Sequence, residues 1–386
     1  MAAVRLGSEV AVRPTIPCDR AAHLAIAALI TALVGCAPLA PNPGSQAVGG
    51  AAPPGRGPAT EAPAPAAVTP PPAPVTVRVG VLSSIGDAPF VIGKEKGFYA
   101  EQGIALEFIP FDSAARMIAP LSAGQLDTGQ GVISAGALNA VARGVGIKGI
   151  SAASGSPPGH GNSAFLVRRD LADQLRSPAD LRGRKLGLSA TGTGVEVLWN
   201  ELLRRGSLSA SDVEFVQLNF TEQVAALCNQ ALDMAATAEP ATTLAIDRGC
   251  GQVYAYADEI IPNHLTSLIW ASPQFLAQPE LVQRFAVALV RSIRVYNDGF
   301  IKGDPQVKAE LVPMFIAHTP VKDPSLYDRM VFQGIDPDGR VNRESIEGDM
   351  RYYLATGQMP APVDLDLLLD SRFTDYAVQV LGPYPR

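Results

Sequence analysis

Along the first part of the chain that has a folding pattern, apolar runs with strand character alternate with segments whose apolar positions recur at helical spacing. TVRVGVL (76–82), IALEFIPF (104–111), TGQGVI (128–133) and KGISAAS (148–154) read as strands, and ARMIAPLSAG and AGALNAVARG between them read as helices. A β-α-β-α-β series of this kind predicts a mostly parallel sheet covered by helices. After SAFLVRRD (163–170) the pattern restarts: RKLGLSA (184–190), VEFVQLN (213–219), LDMAATA (232–238) and GQVYAYA (251–257) are strand-like, with VEVLWNELLRRG, EQVAALCNQ and ATTLAIDRG as the helices between them. From TSLIWASPQF (266–275) onward the chain turns mainly helical, and LVQRFAVALVRSIRVYNDGF (281–300) is its longest amphipathic element. The periodicity therefore predicts two similar α/β lobes followed by a helical tail.

Ahead of this pattern lie two segments of another kind. Arg5, Arg13 and Arg20 precede an apolar run from Leu24 to Val34 that is too short to span a bilayer, the arrangement of an export signal. The run ends in Leu33-Val34-Gly35-Cys36. That ending resembles a bacterial lipobox, which implies a signal peptide over 1–35 and a lipid anchor on Cys36; an ordinary signal with an incidental Cys is the alternative. Residues 36–75 are built almost wholly of Ala, Pro, Gly and small polar residues. Such a segment cannot bury a core and reads as a partly polyproline tether, with a reach on the order of 100 Å at about 3.1 Å per residue.

Composition narrows the partners. Charged residues make up 18% of the chain and the formal net charge is −6, which argues against nucleic acid. From residue 76 onward the chain is long enough for two domains, and no later stretch is apolar for long enough to cross a membrane. The expectation is a monomeric globule held outside the cytoplasm by a lipid anchor, with no cofactor and no metal.

Several segments taken together carry a resemblance. GDAPFVIGKEKGFYAEQGIALEFIPFDS, LSAGQLDTGQGVISAGALNAVARG, SPADLRGRKLGL, TGTGVEVLWNELL, EQVAALCNQALDMAATAEPATTLA and DPDGRVNRESIEGDMRYYLATGQM, in this order and spacing, resemble the extracytoplasmic solute-binding proteins of ABC importers. The likeness is to the branch that includes sulfonate, nitrate and taurine receptors and thiamine-precursor binders. It implies the two-lobed type II periplasmic-binding-protein fold, α/β in class, with a ligand cleft between lobes joined by two crossing segments. Lobe one would comprise 76–168 and 265–386, and lobe two 169–264. It also implies a small-molecule ligand and an ABC permease as partners.

Ligands of open α/β sheets sit beyond the carboxyl ends of strands, where following helices present unpaired N–H groups. The first such corner, Ser84-Ile85-Gly86-Asp87-Ala88-Pro89, makes Ser84, Asp87 and Ala88 candidates, with Asp87 either a helix cap or a ligand acceptor. At the third strand Gln130 and Ser134 are candidates, and Ser134 either caps the AGALNAVARG helix or meets the ligand. Across the cleft, Thr191 and Thr193 flank glycines that allow close backbone approach; TGTG lacks the Lys-Ser/Thr ending of a nucleotide loop. Glu239, which the resemblance places at the cleft, is either a ligand acceptor or a helix-start Glu favoured by the dipole. Phe111 and Trp270 are chosen ahead of Trp199 and Phe220 for stacking on a flat ligand, although aromatics in such elements are more often core. Cys228 and Cys250 form either a disulfide or two buried thiols.

An enzyme is the competing class. The histidines that remain after the signal, His160, His264 and His318, are scattered, and no Cys lies near residues 83–90, so neither a nucleophile with its base nor a metal cluster is suggested. A signalling sensor would need a spanning helix and an output domain. The cleft corners lack an evident Arg or Lys, which favours a small, flat, nitrogen-containing metabolite such as a pyrimidine or flavin-like precursor over a sulfonate, taurine or nitrate.

Overall fold

The structure is a computed structural model that describes residues 74–111, 113–161 and 163–385. The signal, Cys36 and the tether to residue 73 lie outside the described residues. Among the described residues, ten strands form two five-stranded sheets. The first contains β1 (Val75–Val81), β2 (Ile104–Pro110), β3 (Thr128–Val132), β4 (Lys148–Ser156) and β10 (His264–Ala271), in the order β2-β1-β3-β10-β4. The second contains β5 (Ala164–Arg168), β6 (Lys185–Leu188), β7 (Glu214–Gln217), β8 (Met234–Thr237) and β9 (Gly251–Tyr256), in the order β7-β6-β8-β5-β9.

Each sheet pairs its first strands in parallel and holds one antiparallel strand. Those exceptions are β5 and β10, the strands reached directly after the chain crosses between sheets, once after Ser156 and once after Ile260. A strand entered from the cleft side starts at the carboxyl edge of its neighbours, so it must run against them. Two expectations are corrected here. SAFLVR does not close lobe one, because β5 pairs with β8 and β9; lobe two begins near Ala164, and the lobe-one boundary at 168 moves back accordingly. TSLIWA does not open the helical tail, because it is the buried strand β10, paired with β3 and β4.

The helix Pro279–Tyr296 covers the first sheet with one face, burying Leu281, Val282, Phe285, Leu289, Val290 and Ile293. Phe285 packs against Tyr99 and Phe275 with ring centroids 5.3 and 5.4 Å apart. Each such side chain removed from water contributes about 1.5–3 kcal/mol. The second lobe centres on Trp199, fully buried, edge-on to Phe165 at 4.6 Å and donating from Nε1 to the Gly187 carbonyl at 3.1 Å. Cys228 and Cys250 are bonded, with Cα atoms 4.8 Å apart, tying the helix Phe220–Cys228 to the start of β9. Among the described residues no helix is long and apolar enough to cross a membrane.

Candidate functional site

The carboxyl ends of β1, β3, β6 and β8 carry the corners that the sequence singled out, and the structure shows what each residue does there. Asp87 is 2% exposed, and its Oδ2 accepts from the backbone N–H groups of Leu82 (3.0 Å) and Ser84 (2.9 Å). It stands at the N-cap position of the helix Ala88–Glu95 without a side-chain bond to it. The carboxylate therefore closes a capping box on the turn Ile85–Asp87 and caps that turn rather than the helix Ala88–Glu95. Burial pushes its carboxyl up to about 6, against the opposing pull of those N–H bonds. Ser84 caps the short turn Ile85–Asp87, whereas Ala88 is fully buried in the lobe-one core. As placed, Ala88 has no surface to offer a ligand.

Gln130, on β3, is 6% exposed and lies against Gly86, where an added Cβ would come within 3.2 Å of its amide. Val132, at the end of the same strand, keeps 37% of its surface exposed, and Phe111 is half-buried beyond β2. Trp270 is part of the core. Its ring lies against Gly131, its Nε1 donates to the Gly131 carbonyl at 3.1 Å, and it is 1% exposed. Stacking on a cleft ligand is closed to it because β10 is covered on both faces.

The corners of the two lobes meet directly. Ser134 caps the helix Ala135–Ala142, its Oγ accepting from the Ala137 N–H at 3.2 Å, and its backbone forms an isolated antiparallel bridge with Thr193. The Ala135 N–H donates to the Gly192 carbonyl at 2.9 Å. Gly192 has φ +69°, a conformation that glycine adopts without steric cost. Gly194, next along, is buried against His264, where a Cβ would sit 2.7 Å from the ring. Thr193 donates its hydroxyl to the Ala190 carbonyl at 2.9 Å, leaving Thr191 as the exposed hydroxyl of this corner.

Glu239 makes a second tie. Its Oε2 accepts from Thr243 N–H in its own lobe at 3.1 Å and its Oε1 from Val331 N–H in lobe one at 3.2 Å. Burial raises its carboxyl above the ordinary range. It both faces the start of its own helix and reaches across the lobe boundary.

The sequence reading missed five polar groups on the same boundary. Glu196, on the helix Gly194–Arg205, accepts from Tyr352 and Gln358 of lobe one. His264 and Asp349, each 1% exposed, are joined at 2.8 Å. The signal that could have found Tyr352, Gln358 and Asp349 is the segment DPDGRVNRESIEGDMRYYLATGQM, which carried part of the family resemblance without any residue in it being assigned a role. Among the described residues no group of three or more His, Cys, Asp and Glu could hold a metal ion.

Two mixed sheets joined by two crossings, with their carboxyl edges in contact, define the two-lobed periplasmic-binding-protein fold. The chain belongs to the NMT1/THI5-like family, whose model matches residues 85–297. Among solved structures, the chain is similar to the periplasmic aliphatic sulphonate binding protein SsuA from Escherichia coli, at 17% identity and TM-score 0.63 over 77% of this chain and 92% of that one. It is also similar to the periplasmic nitrate-binding protein NrtA from Synechocystis PCC 6803, at 14% identity and TM-score 0.64 over 80% and 89%. The desulfurization enzyme DSZB shares the fold as well, at 16% identity and TM-score 0.58 over 80% and 99%. No curated protein matches the chain.

The buried Asp87 gives a pH prediction. Its folded value of about 6 lies above the ordinary 3.8 of an unfolded carboxylate, so the native state binds the proton more tightly. Its contribution is complete below about pH 4 and is lost as pH rises through about 6, a change on the order of 3 kcal/mol. Asp87→Asn keeps an acceptor for both N–H groups but does not titrate. Denaturant unfolding at about pH 4 and about pH 7 should show the wild type losing stability relative to the variant at the higher pH; a difference that does not move with pH would refute this account of Asp87.

Proposed function

We propose that this chain captures a small solute outside the cytoplasm by closing its lobes over it, and delivers it to an ABC-type import permease. The observation that carries the reading is the direct bonding of the two carboxyl edges, Ala135 N–H to Gly192 carbonyl on one side and Val331 N–H to Glu239 on the other. Bonds that cross the cleft exist only when it is closed, so a ligand that contacts both corners shifts the balance toward that state. Cys36 carries a lipid anchor and 37–74 is the tether, so the monomeric globule works at the membrane surface.

The ligand is a small, flat, nitrogen-containing metabolite. Val132 and Phe111 supply apolar surface at the lobe-one edge, Thr191 and Ser84 supply hydroxyls, and the carboxylates nearby favour a solute with N–H donors. A second reading, an anionic solute such as a sulfonate, taurine or nitrate, is favoured by Arg116, exposed in the turn Ala114–Met117 that follows β2, and by the names of the structural neighbours. An enzyme on this fold has less support: His264 is committed to Asp349 and His318 to Glu95, and Cys is missing from the first corner.

Calorimetric titration of sulfonates, nitrate, pyrimidines and flavins separates the readings. A pyrimidine or flavin should bind, and Glu239→Gln should weaken it roughly tenfold to a hundredfold, because a charged acceptor of the Val331 N–H is lost from a desolvated seam. Tight binding of a sulfonate or nitrate that is abolished by Arg116→Ala would transfer the assignment to the second reading. The anchor is tested separately: Cys36→Ser should move the protein from the membrane fraction to the soluble fraction without changing affinity, and unchanged membrane retention would count against lipidation.

A further inference from the structure

Both backbone groups of Gly192 are held by lobe one, one directly and one through a carboxylate. Its carbonyl accepts from Ala135 N–H at 2.9 Å. Its N–H donates to Glu196 Oε2 at 2.5 Å, and Glu196 is gripped from the other lobe by Tyr352 OH at 3.1 Å and by Gln358 Nε2 at 3.0 and 3.1 Å. Gln358 is itself fixed by the helix Ala135–Ala142, since its carbonyl accepts from Asn139 Nδ2 at 2.9 Å. The bonds form a closed circuit through Ala135, Gly192, Glu196, Gln358 and Asn139. The circuit ties the corner between Thr191 and Thr193 to lobe one.

We propose that Glu196 is a positioning residue of the ligand cleft, coupling the Gly192 corner of lobe two to Tyr352 and Gln358 of lobe one and thereby setting how often the ligand-free cleft is closed. The inference rests on the reading of the chain as a binding protein that closes. In the open state Glu196 keeps Gly192 N–H but loses both donors of lobe one to water. The Tyr352 phenol stays protonated, and so remains a donor, because burial first and the Glu196 charge second raise it far above its usual range. Since apparent affinity scales with the fraction of molecules already able to bind, the clasp tunes affinity without touching the solute.

The test needs no ligand, so a failed solute screen does not affect it. Nitroxides are placed through unnatural amino acids at the exposed positions Ala142 and Ser207, one on each lobe of the full chain, and the distance distribution is measured by pulsed electron resonance in the ligand-free protein. Wild type should show an open and a closed population. Tyr352→Phe, which keeps the ring, and Gln358→Leu should each lower the closed-to-open ratio by about fivefold to tenfold with little change in melting temperature. Adding Glu196→Ala to Tyr352→Phe should lower it by less than the two effects combined, because the pair acts as one unit. An unchanged ratio in both folded single variants, or a wild type without a closed population, would overturn the proposal.

Discussion

The antiparallel bridge between Ser134 and Thr193, with Ala135 N–H bonded to the Gly192 carbonyl, is the constraint on which the rest of the cleft depends. Two backbones approach this closely only where side chains leave room. Gly192 adopts a left-handed turn and Gly194 spares the space that His264 fills. The strand order serves the same end: β5 and β10 enter their sheets from the cleft side, so both crossings and all four corners lie along one edge of each lobe.

Carboxylates near this edge are used as struts. Asp87 ends on two N–H groups of its own corner, Glu196 on that of Gly192, and Glu239 on those of Thr243 and Val331. In a partly desolvated seam a charged acceptor makes a stronger bond to a backbone N–H than a neutral one does, and leaving the charge unpaired there would be costly. The same burial that raises Asp87 and Glu239 makes their N–H partners necessary. Two of the three struts also touch the opposite lobe, which makes the local order of a corner conditional on closure.

Much of this was legible in the sequence. The alternating pattern located eight of the ten described strands as strands, because each shows a short apolar run bounded by turn residues, and it located the restart that separates the lobes. Sheet membership was not legible for β5, since an apolar run such as AFLV has the same appearance whichever sheet it joins, and its partners lie about 70 to 90 residues further on. TSLIWA was misread for a related reason: a fully buried strand shows no alternation. At the site, the corner positions were found because glycine, proline and capping residues mark them locally. Trp270 was misjudged because only the packing of β10 between β3 and β4 reveals that its ring has no route to the cleft. The Glu196 clasp had no local signal, its partners standing 156 and 162 positions away.

Closure over the ligand requires that solute binding and the formation of the bonds across the seam be one event. Ala135 and Val331 are suited to report it, because the amide of each is bonded to an acceptor on the opposite lobe. Hydrogen exchange at these two amides, followed without solute and at saturation with the compound found by titration, should slow by about a hundredfold or more on binding, while core amides of β1 and β6 change little. Saturating solute that leaves exchange at Ala135 and Val331 unaltered would contradict closure over the ligand.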